Sequence, residues 1–226
     1  MRLKEIKRPH VILSAAMTID GKIATKSGDP ELSDENDWRE VHKLRSQVDA
    51  IMVGKGTILK DNPKLHTKFF KHKGYYRIIV DSNLSIPIDS NVIIYQPEIY
   101  PTIICTTENV SMEKIREYES KKVKILQYGD GKQVDLTKMI LDLSNMRINS
   151  ILLEGGGNLN WSFIKHNLID EMRLTIAPWI VGGKDAITLV EGVGFEKMKQ
   201  GRKFKLLKVC KRDNYVVLKY RRKESL

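Results

Sequence analysis

Short apolar blocks alternate with amphipathic stretches along most of this chain. The apolar blocks are rich in valine and isoleucine and predict strands at His10 to Ala16, Ala50 to Gly54, Arg77 to Asp81, Pro101 to Thr106, Val123 to Tyr128 and Ser150 to Glu154. The amphipathic stretches predict helices at Asp34 to Val48, Ser111 to Ser120, Asp135 to Met146 and Asn158 to Asn167. This alternation is typical of βα units, so the sequence predicts an α/β fold with a mainly parallel central sheet flanked by helices.

The last third of the chain has a different pattern. Met172 to Ala177 and Phe204 to Tyr220 resemble strands, and the pair Asp213 and Asn214 interrupts the second run as a turn. We therefore expect a C-terminal antiparallel hairpin. No linker rich in proline, glycine or serine divides the chain, which predicts a single domain over residues 1–226.

The first predicted helix combines an apolar stripe with an acidic beginning. The stripe consists of Trp38, Val41, Leu44 and Val48, which are spaced for one helix face. The acidic residues are Asp34, Glu35 and Asp37, which lie in the first turn, where the helix dipole favours negative charge.

The composition is that of a soluble globular protein. The chain has 226 residues, of which 41% are hydrophobic and 30% charged, enough to bury a full core. It has no apolar run of about 18 residues, and its charged N-terminus leads into a strand without a cleavage site, so we expect a cytoplasmic protein. The two cysteines, Cys105 and Cys210, are too few for a disulfide framework or a four-cysteine zinc site and are expected to be core thiols.

The net charge is +11, from 39 basic and 28 acidic residues. Such a charge suits nucleic acid, a phosphorylated substrate or an anionic cofactor, and the charge alone does not decide between them. The basic runs Lys203 to Lys211 and Tyr220 to Lys223 alternate with apolar residues as on a half-exposed strand. A solvated sheet face accounts for these lysines, and a basic nucleic-acid-binding protein stays open as an alternative.

Three consecutive glycines, Gly155 to Gly157, follow the predicted strand that ends at Glu154. A glycine turn between a strand and a helix offers bare backbone N–H groups and a helix dipole, which together favour a phosphate or pyrophosphate. The standard dinucleotide fingerprint is absent because Asn160 stands where the third glycine belongs. A tight turn without a ligand is the alternative.

A second glycine turn follows another apolar strand, in the stretch AIMVGKGTILKD from Ala50 to Asp61. Thr57 and Asp61 are four residues apart there and share one face. Because the carboxyl ends of parallel strands meet at one edge of a sheet, we expect the two glycine turns to lie together at a ligand site.

In these segments the chain resembles the reductase domain of riboflavin biosynthesis, a family with the dihydrofolate-reductase-like fold. The resemblance is carried by MTIDGKIA (Met17 to Ala24), LRSQVDAIMVGKGTILKDNPKL (Leu44 to Leu65), RIIVDS (Arg77 to Ser82), ILLEGGGNLNWSFI (Ile151 to Ile164) and LIDEMRLTIAPWIVGG (Leu168 to Gly183). Within this family, the stand-alone archaeal and fungal type is the most similar. The family tends to be dimeric, which implies a homodimer in which Ile176 to Gly183 is either interface or core.

The resemblance implies reduction of the ribosyl group of a pyrimidine ribosylamine 5′-phosphate to a ribityl chain. The zinc deaminase signature of the bifunctional relatives, H-x-E with P-C-x-x-C, is absent, so we expect no metal and the undeaminated diaminopyrimidinone as substrate. The deaminated uracil compound is the alternative. A dihydrofolate reductase is a further alternative, with Asp34, Glu35 or Asp37 as its acid.

The resemblance also implies a cofactor, which is either NADPH alone or NADPH with tolerance of NADH. It places the dinucleotide against Thr57, Asp61, Ser82 and Gly155 to Gly157, and Gly131 is a further candidate that is equally a surface turn. The cofactor preference stays open: Asp81 suits the ribose hydroxyl of NADH, whereas Ser82, Asn83 and nearby lysines suit a 2′-phosphate.

Substrate contacts are implied at Arg45, Leu65, Lys68 and Glu154. Glu154 is the expected catalytic carboxylate. A protonated imine is cationic, and a nearby carboxylate such as Glu154 or Asp61 stabilises it. Lys22, after a turn at Asp20 and Gly21, is a further candidate contact, and a solvated lysine is the alternative for both Lys22 and Lys68.

Overall fold

The computed structural model describes residues 8–223, which form nine strands, six α-helices and one short 3₁₀ helix. The strands are β1 (His10–Thr18), β2 (Ala50–Gly54), β3 (Tyr76–Val80), β4 (Thr102–Thr106), β5 (Lys124–Gln127), β6 (Ser150–Gly155), β7 (Glu171–Ala177), β8 (Phe204–Lys211) and β9 (Val216–Arg222). The helices are α1 (Glu35–Arg45), α2 (Lys55–Asp61), α3 (Asn91–Ile94), α4 (Met112–Glu119), α5 (Leu136–Asn145) and α6 (Gly157–Lys165), and the 3₁₀ helix is Met198–Gln200. Within residues 8–223, none of the helices is long and apolar enough to cross a membrane.

All nine strands belong to one sheet, in the order β5-β4-β3-β2-β6-β1-β7-β9-β8. Strands β1 to β7 are parallel to their neighbours within this group, whereas β9 pairs antiparallel with both β7 and β8. The predicted mainly parallel sheet and its C-terminal antiparallel hairpin are both confirmed. The carboxyl ends of β2, β3 and β6, three neighbours in the order, therefore lie side by side at one edge.

The core lies on both faces of the parallel sheet. Along β2, Ala50 and Met52 join one apolar cluster, and Ile51 and Val53 join the other. A parallel sheet covered by helices on both faces needs such continuous apolar strands, which is why the valine and isoleucine runs located them well.

The two cysteines differ in burial. Cys105 on β4 is fully buried, as predicted, and burial raises the pKa of its thiol. Cys210 is only half-buried, so its prediction as a core thiol is wrong. It lies on β8, which within residues 8–223 is an edge strand of the sheet and pairs on one side only.

Helix α1 departs from the sequence pattern. The helix begins after Asp34, whose carboxylate accepts the N–H of Asp37 at 2.8 Å, and it ends at Arg45 rather than at Val48. Trp38, the first residue of the predicted stripe, is 46% exposed. The buried residues of the helix are instead polar, namely Asp37, His42 and Arg45.

Two short helices have no clear signal in the sequence. Helix α2 follows the second glycine turn, where the sequence indicated only a helix-like turn. Helix α3 covers Asn91–Ile94, and its four residues are too few to display a helical period.

Candidate active site

A large cleft opens at the carboxyl ends of β2, β3 and β6, and its volume is about 1220 Å³. Its walls also include residues of α1, α2 and α6 and of the irregular segment 184–193. Ligands of open α/β sheets bind at this edge, and the volume exceeds what a drug-sized molecule needs. The cleft therefore has room for a dinucleotide and a second ligand together.

The three glycines between β6 and α6 have different surroundings. At Gly155 (φ +93°) an added Cβ would lie 3.2 Å from Asn160 Nδ2, and at Gly157 it would lie 2.4 Å from Glu191 Cγ. At Gly156 (φ +29°) the one atom within 4 Å is Thr57 Oγ1, at 3.6 Å. Packing within the protein thus requires Gly155 and Gly157, whereas Gly156 faces open space in the cleft.

Most of the predicted cofactor residues lie together. Those that line the cleft are Thr57, Asp61, Ser82, Gly156 and Gly157. Gly155 is buried. Gly131 is an exposed turn residue whose carbonyl accepts from Asn109 at 3.2 Å, while Gln133 reaches the cleft from the same loop.

Asp81 is not available to a ribose. It is fully buried, and its carboxylate accepts the N–H groups of Ser85, Ile86 and Asn83 in the turn after β3. Lys55 lines the cleft nearby, and its Nζ lies 3.4 Å from Ser85 Oγ. The argument for NADH, in which Asp81 binds the ribose hydroxyl, therefore has no support from this residue.

Glu154, at the end of β6, forms a two-point ion pair with Arg45. Arg45 Nε donates to Oε1 at 2.8 Å and Nη2 donates to Oε2 at 2.6 Å, with the two side chains 8% and 12% exposed. Arg45 Nη1 also donates to the carbonyl of His66 at 2.9 Å. Burial alone would lower the pKa of Arg45, but the Glu154 carboxylate raises it. Three N–H groups of Arg45 are thus used within the protein, and the substrate contact predicted for Arg45, which lines the cleft, stays a prediction.

The other predicted substrate residues differ in whether they line the cleft. Leu65 lines the cleft, whereas neither Lys22 nor Lys68 does. Lys22 Nζ lies 3.3 Å from the carbonyl of Ala186, and Lys68 is exposed. The cations at the cleft other than Arg45 are lysines that the sequence analysis missed, namely Lys55, Lys60, Lys165 and Lys184. Lys55 and Lys60 flank Gly56 and Thr57, so the second glycine turn was the signal for them.

Asp37 of α1 lines the cleft and is buried in a polar network. Its Oδ1 accepts from Thr175 Oγ1 at 2.7 Å and from Arg173 Nη2, and its Oδ2 accepts from Ser33 Oγ at 2.6 Å. The network joins the start of α1 to β7. It explains why the polar side of this helix is the buried one.

His42 lies on α1, three residues before Arg45. It is 4% exposed, and its Nδ1 accepts the backbone N–H of Lys68 at 3.3 Å. Burial, followed by the charge of Arg45, lowers the pKa of His42 to about 4. The imidazole is therefore neutral at physiological pH and serves as an acceptor.

This histidine predicts a pH dependence of stability. Its pKa is about 4 in the folded state and about 6.5 when unfolded, so the unfolded chain binds the proton first as pH falls. The stability that neutral His42 contributes is present above pH 6.5 and is lost as pH falls towards 4. We expect the unfolding midpoint in urea to fall less over this range in His42→Gln than in the wild type. An equal fall in both proteins would contradict this assignment, and the exposed His166→Gln serves as the control.

The chain is similar to proteins of known function and structure. A family model described as the RibD C-terminal domain matches residues 9–218. The 2,5-diamino-6-ribosylamino-4(3H)-pyrimidinone 5′-phosphate reductase of Methanothermobacter thermautotrophicus is 41% identical over 202 residues, which cover 88% of this chain and 91% of the relative. The reductase of the same name from Aquifex aeolicus is 37% identical, with 86% and 88% covered.

A solved structure shows the same fold. RibD of Acinetobacter baumannii superimposes with a TM-score of 0.80 at 24% identity. The match covers 96% of this chain and 58% of that chain, so it corresponds to part of the larger protein.

Proposed function

Since the chain belongs to the RibD C-terminal domain family, we propose that it reduces 2,5-diamino-6-ribosylamino-4(3H)-pyrimidinone 5′-phosphate to its ribitylamino product with NADPH. Its archaeal relatives at 32% to 41% identity are reductases of this name. One observation carries the proposal: Glu154 and Gly156, two residues apart at the end of β6, both line one cleft. A carboxylate that can face the substrate is thereby adjacent to a turn whose exposed backbone can face the cofactor.

The residues present fit a nicotinamide dinucleotide. Gly156 leaves open space opposite Thr57 Oγ1, and an added Cβ at Gly56 would meet no atom within 4 Å. Lys55 and Lys60 add positive charge on the same wall. Bare backbone and cations together suit a pyrophosphate, because both neutralise anionic oxygens without crowding them. With Asp81 buried, Lys55 and Ser82 favour the 2′-phosphate of NADPH.

The chemistry divides between the cofactor and the chain. A bound nicotinamide cofactor would supply the hydride that reduces C1′ of the substrate, whose opened sugar is a protonated imine. Glu154 faces this cation as a hydrogen-bond acceptor, because both its oxygens are already oriented by N–H groups of Arg45. The chain thus contributes orientation and charge.

The 5′-phosphate of the substrate needs a cation. Lys165 and Lys184 line the cleft, and neither of them forms an ion pair with another described residue. We assign the phosphate to these two lysines. Lysine binds phosphate as a point charge on a flexible stem, which suits a ligand that arrives at the mouth of a cleft.

The proposal extends to the domain organisation and the oligomeric state. We infer a single reductase domain, since one sheet joins β1 to β9, and a homodimer. Trp179 and Ile180 in the predicted interface segment are 59% and 73% exposed and are thus not core. Sedimentation equilibrium measures the mass directly, and a monomer at micromolar concentration would contradict the dimer.

The proposal is tested by NADPH consumption, followed at its absorbance band with purified protein. We expect oxidation with the diaminopyrimidinone ribosylamine phosphate and little with its deaminated uracil counterpart. Preference for the uracil compound would place the reduction after deamination. Oxidation of NADPH with dihydrofolate in place of either compound, or with none of the three, would overturn the proposed function.

A further inference from the structure

Three consecutive carbonyls between α2 and β3 are each held by a different side chain. Arg77 Nη1 donates to the carbonyl of Lys64 at 3.1 Å, the Tyr75 hydroxyl to that of Leu65 at 3.2 Å, and Arg45 Nη1 to that of His66 at 2.9 Å. This stretch, residues 64–66, has no helix or strand of its own to fix it. Its backbone position depends on these three donors.

Leu65 lies at the centre of this stretch in a left-handed conformation, with φ +43°. A branched side chain adopts this region at a cost and stays there only when its surroundings hold it. Leu65 is 3% exposed and lines the cleft. The strained backbone therefore lies at a wall of the site.

Arg77 is the most unusual of the three donors. It lies on β3, is fully buried, and takes part in none of the ion pairs between described residues. Besides Lys64, its guanidinium donates to the carbonyls of Tyr95 and Tyr100. Burial lowers the pKa of Arg77 to about 10, so it is still charged at neutral pH. A buried cation without a carboxylate is costly, and a strand position facing an apolar cluster would otherwise hold an aliphatic residue.

We propose that Arg77 is a positioning residue. Its guanidinium fixes the Lys64 carbonyl, and this contact holds Leu65, together with the hydrogen bond from Arg45 to the His66 carbonyl, in the geometry that receives the substrate. The effect on turnover rests on the proposed function. Arg77 acts through the backbone of 64–66 and touches no reacting atom. The competing explanation is that Arg77 joins loops for stability alone.

The test compares Arg77→Lys with the wild type. Lysine keeps the charge but lacks the planar guanidinium, which donates to four carbonyls, those of Lys64, Asn91, Tyr95 and Tyr100. We expect the KM for the pyrimidine phosphate to rise about tenfold while kcat and the Kd of NADPH change less than about threefold. Amide hydrogen exchange in residues 62–68 is expected to become about tenfold faster. Arg77→Gln, which buries no charge, replaces Arg77→Lys if the latter does not fold.

Met139→Ala is the matched control. Met139 is fully buried in the apolar cluster that contains Ala50 and Met52, and it does not line the cleft. We expect it to lower the melting temperature while leaving KM and exchange in 62–68 unchanged. Unchanged KM or unchanged exchange in a folded Arg77 variant overturns the proposal, and so does an equal change in Met139→Ala. If the wild type does not reduce the pyrimidine, the proposed function fails, whereas the exchange measurement still decides whether Arg77 holds this segment.

Discussion

Replacing Glu154 with glutamine is expected to lower kcat/KM for the pyrimidine phosphate by about 100-fold or more while sparing the affinity for NADPH. The amide keeps the shape of the carboxylate but offers one acceptor where Arg45 now meets two. The NH₂ group would face one of the Arg45 donors, and the buried guanidinium would lose its counter-charge. Both the orientation at the end of β6 and the negative charge facing the substrate cation are lost together.

The same change is expected to destabilise the fold. Breaking a buried ion pair by removing one partner costs about 3–5 kcal/mol, because the remaining charge is uncompensated. Turnover must therefore be measured well below the melting temperature, with the folded fraction confirmed by circular dichroism. The Kd of NADPH, measured by fluorescence quenching, shows whether the proposed cofactor-binding residues are still in place.

Glu171→Gln is the matched control for Glu154→Gln. Glu171 on β7 accepts from Arg221, which is 61% exposed, and it does not line the cleft. Exposed ion pairs contribute little, so stability and turnover are expected to stay near those of the wild type. Wild-type turnover in Glu154→Gln would remove any substrate role for this residue.

The sequence located the sheet well and the buried side of α1 badly, for a single physical reason. Strands with both faces covered must be apolar throughout, so their residues reveal them without knowledge of their partners. The buried face of α1 is polar because Asp37 meets Arg173 and Arg45 meets Glu154. These partners lie more than 100 positions away, and a local pattern cannot show which charges will be paired.

The candidate site was predictable to the extent that it depends on the backbone. Glycine turns after two strands at one sheet edge, together with the family resemblance, led to Thr57, Gly156 and Glu154, which the fold does bring to one cleft. The roles of Gly155 and Gly157 depend on Asn160 and on the irregular segment that contains Glu191, and neither contact has a sequence signal. Arg77 was hidden for the same reason, since a lone arginine in a strand does not indicate which carbonyls it will meet.

Gly156→Val is expected to weaken NADPH binding by about 50-fold or more, the equivalent of at least about 2 kcal/mol. The new Cβ would lie 3.6 Å from Thr57 Oγ1, and the two methyl groups would occupy the space between the turn and α2. A phosphate could no longer approach the backbone there. Apart from its chain neighbours, the new Cβ meets no other protein atom within 4 Å, so the fold is expected to melt cooperatively, which calorimetry checks.

Gly182→Val separates lost space from backbone strain. Gly182 also has a positive φ, +65°, and an added Cβ there would meet no atom within 4 Å, but the residue does not line the cleft. Both variants pay for a branched residue in a left-handed region, whereas only the one at Gly156 fills the cleft. Weakened NADPH binding in Gly156→Val alone identifies the turn as the place where the cofactor meets bare backbone. Equal weakening in both variants, or in neither, would show that the open space at Gly156 serves no dinucleotide.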